Sequence, residues 1–142
     1  MTKNERGFSI LELLVVVAVV SLIAAMAIPN LKKARQSASS ASAVQSVRTL
    51  TTAEQMYRQK YQVYGTLSQL APEGTLDTTL GSGSKSSYLF TITLNADPLH
   101  YTCTAEPIED IDTMLYYFTD ESTVIRYNYG AAADANSSPI PR

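Results

Sequence analysis

The chain opens with a long apolar stretch and changes character after residue 29. The 21 residues from Phe8 to Ile28 contain one charged side chain, that of Glu12. A helix of this length rises about 1.5 Å per residue and spans ~31 Å, close to the thickness of the hydrocarbon core of a bilayer. The pattern therefore predicts a helix that can cross a membrane.

Beyond Pro29, apolar residues recur every three or four positions, which is typical of one face of a helix. This stripe consists of Leu31, Ala34, Ala38, Ala41, Val44, Val47, Leu50, Ala53, Tyr57 and Tyr61. Pro29 lacks an N–H and crowds the preceding turn, so we expect a kink or local melting there before the helix resumes. The sequence predicts a membrane half at 8–29 and an amphipathic half at 30–64, ended by Gly65.

The remainder predicts a small antiparallel sheet. Apolar and polar residues alternate in the runs 86–94 and 99–105, which a turn at 95–98 separates. A second hairpin joins 114–119 to 123–129. The predicted fold class is thus α+β, with the long helix packed on about four strands within 86–129. We expect residues 65–85 to form an exposed loop and 130–142 a flexible tail.

The predicted helix is too long for its head. A straight helix over 8–64 would measure ~85 Å, which exceeds the width of a domain of this size, so about half of it must project. The projecting half is apolar nearly all round, and it can avoid water only in lipid or among copies of itself. The sequence therefore predicts both membrane storage and self-association.

Charge is nearly balanced overall but segregated along the chain. The 11 basic and 13 acidic residues give a net charge of −2, which argues against a general nucleic-acid-binding function. Basic residues of the first half are Lys32, Lys33, Arg35, Arg48, Arg58 and Lys60, and acidic residues of the second half are Glu106, Glu109, Asp110, Asp112, Asp120 and Glu121. Two solvated faces are the default interpretation, and a specific charge match between subunits is the alternative.

The sequence gives little support for a catalytic site or a metal site. His100 is the only histidine, so one chain cannot form a histidine metal cluster, and no nucleophile has an assignable base. We expect no enzymatic activity and no cofactor. The oxygen ligands of Glu109, Asp110 and Asp112 are weak candidates for calcium, since they lack the spacing of a known calcium loop.

Cys103 is the only cysteine, and this excludes a disulfide within the chain. Its position in an alternating run predicts a buried, unpaired and inert thiol.

Two kinds of processing fit the N-terminal segment. Ala25-Met26-Ala27 resembles the cleavage site of an ordinary signal peptide, and cleavage there would release a soluble exported binding domain beginning at Ile28. Against this, the apolar run is longer than a signal-peptide core, and Glu12 would cost ~2.5–3.5 kcal/mol near the bilayer centre. These features favour a segment retained in the membrane.

The residues Lys3-Asn4-Glu5-Arg6-Gly7, followed by Phe8-Ser9-Ile10-Leu11-Glu12 and an unbroken apolar helix, resemble the class III signal of type IV pilins and pseudopilins. This resemblance implies that prepilin peptidase cleaves the chain between Gly7 and Phe8, which removes residues 1–7 as a leader, and then N-methylates Phe8. It also implies an inner-membrane, single-pass precursor with a cytoplasmic leader. An assembly platform in that membrane would add copies to an extracellular filament. Pro29 matches the helix-loosening proline of many family members.

The resemblance gives Glu12 a physical role. Cleavage leaves a cationic amine on Phe8, and in a bundle of helices this amine can approach Glu12 of a neighbouring subunit. At 4 Å and an effective dielectric constant near 20 their attraction is about 4 kcal/mol, which matches the cost of an apolar setting. Glu12 would then set subunit register; the alternative is a carboxylate that reaches the headgroups. The filament could serve twitching motility, adhesion, DNA uptake or secretion, and major pilin, minor pilin and secretion pseudopilin stay open.

Overall fold

The structure is a computed structural model that describes residues 7–141. These residues form two compact units, which divide between Gln36 and Ser37. Helix α1, Ile10–Tyr61, contributes residues to both units, and each unit is described by itself. The predicted leader lies outside the described residues except for Gly7.

The first unit is the apolar half of α1, and its start is defined by a serine cap. The backbone N–H of Leu11 donates to the Ser9 hydroxyl at 3.3 Å, and that of Leu13 donates to the Ser9 carbonyl at 3.1 Å. Ser9 thereby satisfies N–H groups that lack partners in the first helical turn. Pro29 lies inside the helix, which is assigned as helical on both sides of it. The loosening expected at Pro29 stays a prediction.

The second unit begins with the remainder of α1, whose buried face lies between residues 43 and 54. Val47, Leu50 and Ala53 of the predicted stripe are buried. The early stripe residues Leu31 to Ala41 and the late residue Tyr61 are exposed, so the sheet covers only the middle of the predicted stripe. The buried face also includes three polar side chains, those of Ser46, Thr51 and Glu54.

The helix ends three residues earlier than predicted, and not at Gly65. It stops at Tyr61, because Gln62 adopts a left-handed conformation with φ of 63° and its N–H donates to the Arg58 carbonyl at 2.9 Å. Glutamine rarely adopts this conformation, so no sequence signal marked the position. Gly65 instead lies against the Tyr57 ring, where an added Cβ would come within 3.1 Å.

The described residues contain six antiparallel strands in one sheet, ordered β1-β2-β3-β4-β5-β6. Their bounds are β1 Ser84–Lys85, β2 Tyr88–Leu94, β3 Tyr101–Pro107, β4 Leu115–Asp120, β5 Arg126–Tyr129 and β6 Ser138–Pro139. The α+β class and the two hairpins are confirmed. The strand count of about four is too low, because β1 and β6 are two-residue edge strands that are too short to show alternation.

The core of the second unit lies between α1 and the inner face of the sheet. Inward residues of β2 and β3 include Tyr88, Phe90, Tyr101 and Cys103, each at most 3% exposed. This agrees with the predicted alternation, except that Leu99 is 44% exposed because β3 begins only at Tyr101. Full burial of a large apolar side chain contributes roughly 1.5–3 kcal/mol to stability, so these inward-facing side chains hold the sheet against the helix.

The segment 65–85 is not the simple exposed loop that we expected. It contains α2, Leu67–Leu70, a 3₁₀ turn at Ala71–Glu73 and α3, Thr78–Gly81. Leu70 and Leu80 are at most 1% exposed, and they add to the core. Helices of four residues show too little periodicity to be recognised in a sequence.

The C-terminal segment 130–142 contributes β6 to the sheet. Ile140 donates its N–H to the Ile125 carbonyl at 2.9 Å, and Ala133 is buried. The predicted sheet boundary at residue 129 is therefore too early. The flexibility of this tail stays a prediction.

Candidate functional site

The predicted cleavage site lies where the chain has no regular structure. Gly7, Phe8 and Ser9 precede α1, and the Phe8 side chain is 82% exposed. Among the described residues, no heavy atom outside the chain neighbours lies within 4 Å of a Cβ built on Gly7. Exposed, irregular backbone is the kind that peptidases cleave. Cleavage between Gly7 and Phe8 stays a prediction.

Glu12 is exposed in the first turn of α1. It follows the capping residue Ser9 by three positions, which is the spacing of a capping box, and carboxylates are generally favoured in the first turn of a helix. Sequence reasoning did not use this Ser-x-x-Glu spacing. The role of Glu12 in subunit register stays a prediction.

The apolar half of α1 is exposed along its whole length. The described residues include one helix that is long and apolar enough to cross a membrane, and the most apolar stretch of this helix is not buried. The side chains of Ile10, Leu13, Leu14, Val17 and Ala18 border a shallow apolar groove on one face. Spacings of three and four residues place these side chains on one side, where a second helix can pack.

Polar groups in this half are satisfied locally. The Ser21 hydroxyl donates to the Val17 carbonyl at 2.7 Å, and the Asn30 side-chain amide donates to the Met26 carbonyl at 3.1 Å. Such bonds to the preceding turn let serine and asparagine lie in an apolar environment without an unsatisfied donor. The helix is therefore chemically suited to lipid or to a bundle of identical helices.

Glu54 is the residue of the head that sequence reasoning missed. Its side chain is 0% exposed, and Oε2 accepts the Gly65 N–H at 3.0 Å. Oε1 has no hydrogen-bond partner within residues 7–141. Burial raises the pKa of Glu54 to about 7, and the Gly65 N–H opposes this rise. The signal was available, since Glu54 lies four residues after the buried Leu50.

No reactive centre surrounds Glu54 in the part of the chain that the structure describes. Burial, aided by the Glu54 carboxyl, raises the pKa of the Cys103 thiol to about 12. Burial also raises the pKa of the Tyr101 phenol. Both groups are protonated at neutral pH, so neither is an activated nucleophile. Cys103 is a buried free thiol.

The candidate calcium residues do not form a ligand cluster. No three His, Cys, Asp or Glu side chains between residues 7 and 141 are arranged to hold a metal ion, and this includes Glu109, Asp110 and Asp112. His100 is exposed beside the sheet, with Nδ1 2.7 Å from Glu121 Oε1. This pair joins the β2–β3 and β4–β5 connections.

Comparison with known families finds one similarity. Residues 2–28 match the family described as the prokaryotic N-terminal methylation motif, and this confirms the resemblance to the class III signal of type IV pilin-like proteins. The match includes Gly7, Phe8 and Glu12, while residues 2–6 lie outside the described structure. Neither the curated proteins nor the solved structures give a match. The motif is typical of structural proteins that are anchored in the membrane as precursors.

Proposed function

We propose that this chain, given its N-terminal methylation motif, is the structural subunit of a type IV pilus-like filament. The observation that carries the proposal is the apolar half of α1, which lies largely within the matched residues 2–28 and whose most apolar stretch is not buried. Apolar surface on this scale is stable only in lipid or against other apolar surface. The chain would therefore use one segment first as a membrane anchor and then as the filament core.

Maturation would occur at the start of that segment. Prepilin peptidase would cleave the accessible Gly7–Phe8 bond on the cytoplasmic face and then methylate the new amine of Phe8. The inner-membrane assembly platform would extract the anchored subunit and add it to copies already in the filament. The second unit, residues 37–142, would remain outside the membrane and form the filament surface.

Glu12 would determine the register of neighbouring helices. Phe8 precedes Glu12 by four residues and lies just before α1, which begins at Ile10. A neighbour displaced along the helix axis by the distance from Phe8 to Glu12 would bring its Phe8 amine level with Glu12. An attraction of about 4 kcal/mol at 4 Å offsets the cost of the carboxylate in the apolar core, so the paired register is preferred.

A minor pilin and a secretion pseudopilin would share this N-terminal chemistry. Abundance in sheared filaments separates these functions, because a major subunit is the main component and a minor one is sparse. Motility, adhesion, DNA uptake and secretion then require phenotypes of a deletion strain.

Mass analysis of the mature N-terminus tests the proposal. We expect the chain to begin with N-methylated Phe8 and to be recovered both from the inner membrane and from sheared filaments. A mature chain that begins at Ile28 would overturn the proposal and support the soluble exported domain instead.

Substitution of Glu12 tests assembly separately from cleavage. We expect Glu12→Ala to be cleaved and methylated normally, while filament yield falls at least about tenfold because the pairing energy is lost. The control is Glu121→Ala, which removes an exposed carboxylate from the head together with its contact to His100. Wild-type filament yield from Glu12→Ala would exclude the registration role.

A further inference from the structure

The end of β3 and the connection from β3 to β4 expose apolar and acidic side chains together. We call residues 106–113 the acidic loop. Ile108 and Ile111 are 54% and 52% exposed, and the side chains of Glu106, Glu109 and Asp112 are exposed around them. Single exposed apolar residues are common, but two isoleucines within four positions among carboxylates form a surface with both an apolar and an anionic component.

This loop is held in a defined conformation. The N–H of Ile108 donates to the Ser87 carbonyl at 2.9 Å, and that of Thr113 donates to the Asp110 carbonyl at 2.8 Å. Gly130 lies so close that an added Cβ would come within 2.8 Å of the Asp112 carbonyl oxygen. The isoleucines are thus presented by a braced backbone, and a partner that binds them loses little loop entropy.

A segment of α1 has the complementary chemistry. Ile28 and Leu31 are 66% and 55% exposed, and the exposed cation Arg35 lies one turn beyond Leu31. Residues 28, 31 and 35 are three and four positions apart and therefore share one helix face, whereas Lys33 is about 200° around the helix from Leu31 and lies on the other side. We call residues 28–35 the basic segment. Its docking face offers apolar contacts followed by a cation, as the acidic loop offers apolar contacts among anions.

We infer that the acidic loop of one subunit docks on the basic segment of a second copy of this chain. This inference rests on the proposed function, since a filament brings the head of one subunit against the helices of others. Arginine opposite carboxylates favours the correct partner, and repulsion between carboxylates disfavours contact of one loop with another. A bilayer is the poorer partner for the loop, because its carboxylates are repelled by anionic headgroups.

Cysteine cross-linking between two differently tagged chains tests the contact. One chain carries Ile111→Cys and the other Leu31→Cys, and both are co-expressed and oxidised in intact filaments. The native thiol of Cys103 is buried, so it contributes little background. We expect the yield of tagged heterodimers to be at least about tenfold above that of the control pair, Leu99→Cys with Leu31→Cys. Leu99 suits the control because it is exposed just before the start of β3, whereas the acidic loop lies at the end of that strand.

Charge reversal gives a second measurement that does not depend on thiols. We expect Glu109→Lys with Asp112→Lys to reduce filament yield about tenfold or more, and Arg35→Glu to do the same. Combining these reversals should restore most of the yield. The control for Arg35→Glu is Lys33→Glu, which makes the same charge change on the other side of the helix and should leave the yield unchanged. The control for the loop, Asp97→Lys with Glu121→Lys, makes an equal charge change at the other end of β3, where both carboxylates lie near His100. Thermal unfolding of each variant confirms that its head is folded.

The outcomes separate this inference from the proposed function. Wild-type filaments with no heterodimer above the control, or with unchanged yield after charge reversal, overturn the contact and leave the filament function standing. A loop cysteine that forms a disulfide only with Cys103 of its own chain also overturns it. Absence of filaments from the unsubstituted chain overturns both.

Discussion

Replacement of Glu54 by glutamine should remove a pH dependence from the stability of the head. Glu54 is fully buried, and burial raises its pKa from 4.5 to about 7. The folded head therefore keeps this proton between these two values, while the unfolded chain releases it. The stabilisation is fully present below pH 4.5 and is lost as the pH rises through about 7.

The size of the effect follows from the pKa difference. Each unit corresponds to about 1.4 kcal/mol, so the difference between 4.5 and about 7 gives at most about 3 kcal/mol. Water that reaches the ionised carboxylate reduces this value, and we expect ~1–3 kcal/mol. The phenol of Tyr101 and the thiol of Cys103 face Glu54 but stay neutral over this range, because burial raises the pKa of each.

Thermal unfolding in a non-ionic detergent measures the effect on the full chain. Near-ultraviolet circular dichroism follows the buried tyrosines Tyr64, Tyr88 and Tyr101, which report on the head. One kcal/mol shifts the midpoint of a domain of about 100 residues by ~4 °C or more. Relative to wild type, Glu54→Gln should therefore gain ~4–12 °C on going from pH 4.5 to pH 8, since glutamine cannot ionise.

The comparison between variants gives the decisive result. Glu106→Gln is the matched control, because it makes the same change at an exposed position of β3. It should follow wild type at every pH. A midpoint difference between Glu54→Gln and wild type that is constant from pH 4.5 to pH 8 would show that Glu54 does not titrate in this range, and the assignment of a raised pKa would be wrong.

Three further predictions concern the second unit. Leu80→Ala should destabilise the head by ~2–5 kcal/mol in the same thermal unfolding experiments. Leu89→Ala, at a 47% exposed position, should cost under about 1 kcal/mol. Equal effects would place Leu80 outside the core. Gly130→Ala should lower the stability of the head clearly more than Gly74→Ala. Both glycines have positive φ, but only a Cβ on Gly130 would come within 2.8 Å of a backbone oxygen. Equal unfolding midpoints would contradict that contact. Cys103 should resist iodoacetamide in the folded protein at pH 8 and react after denaturation, because burial raises its pKa to about 12. Rapid labelling of the native chain would refute its burial.

Strong periodicity made much of this fold predictable from the sequence. The apolar run after Phe8, the stripe through Val47 and Leu50, and the alternation around Cys103 each predict an element that the structure contains. These patterns are readable because burial imposes a period of 3.6 residues on helices and of 2 on strands. The N-terminal motif was equally readable, since its information lies in consecutive residues.

The features that escaped prediction depend on contacts between distant residues. Glu54 breaks the apolar stripe but is accepted because the Gly65 N–H, 11 residues away in the chain, binds its carboxylate. The helix ends at Tyr61, because Gln62 and not Gly65 terminates it, and Leu80 is buried within a four-residue helix. Strands of two residues at the sheet edges leave no alternation to detect. In each case tertiary packing outweighed local propensity.

The strand order has a consequence for how the head forms. Every strand pairs with the next one along the chain, so the described sheet requires only short loop closures and no late return of a distant strand. Successive hairpins can therefore form one after another as the chain becomes available. If the head is exported from an anchored N-terminus as proposed, residues 37–61 of the helix would emerge first and offer a surface on which each new hairpin packs, so that folding can finish soon after the last strand has emerged.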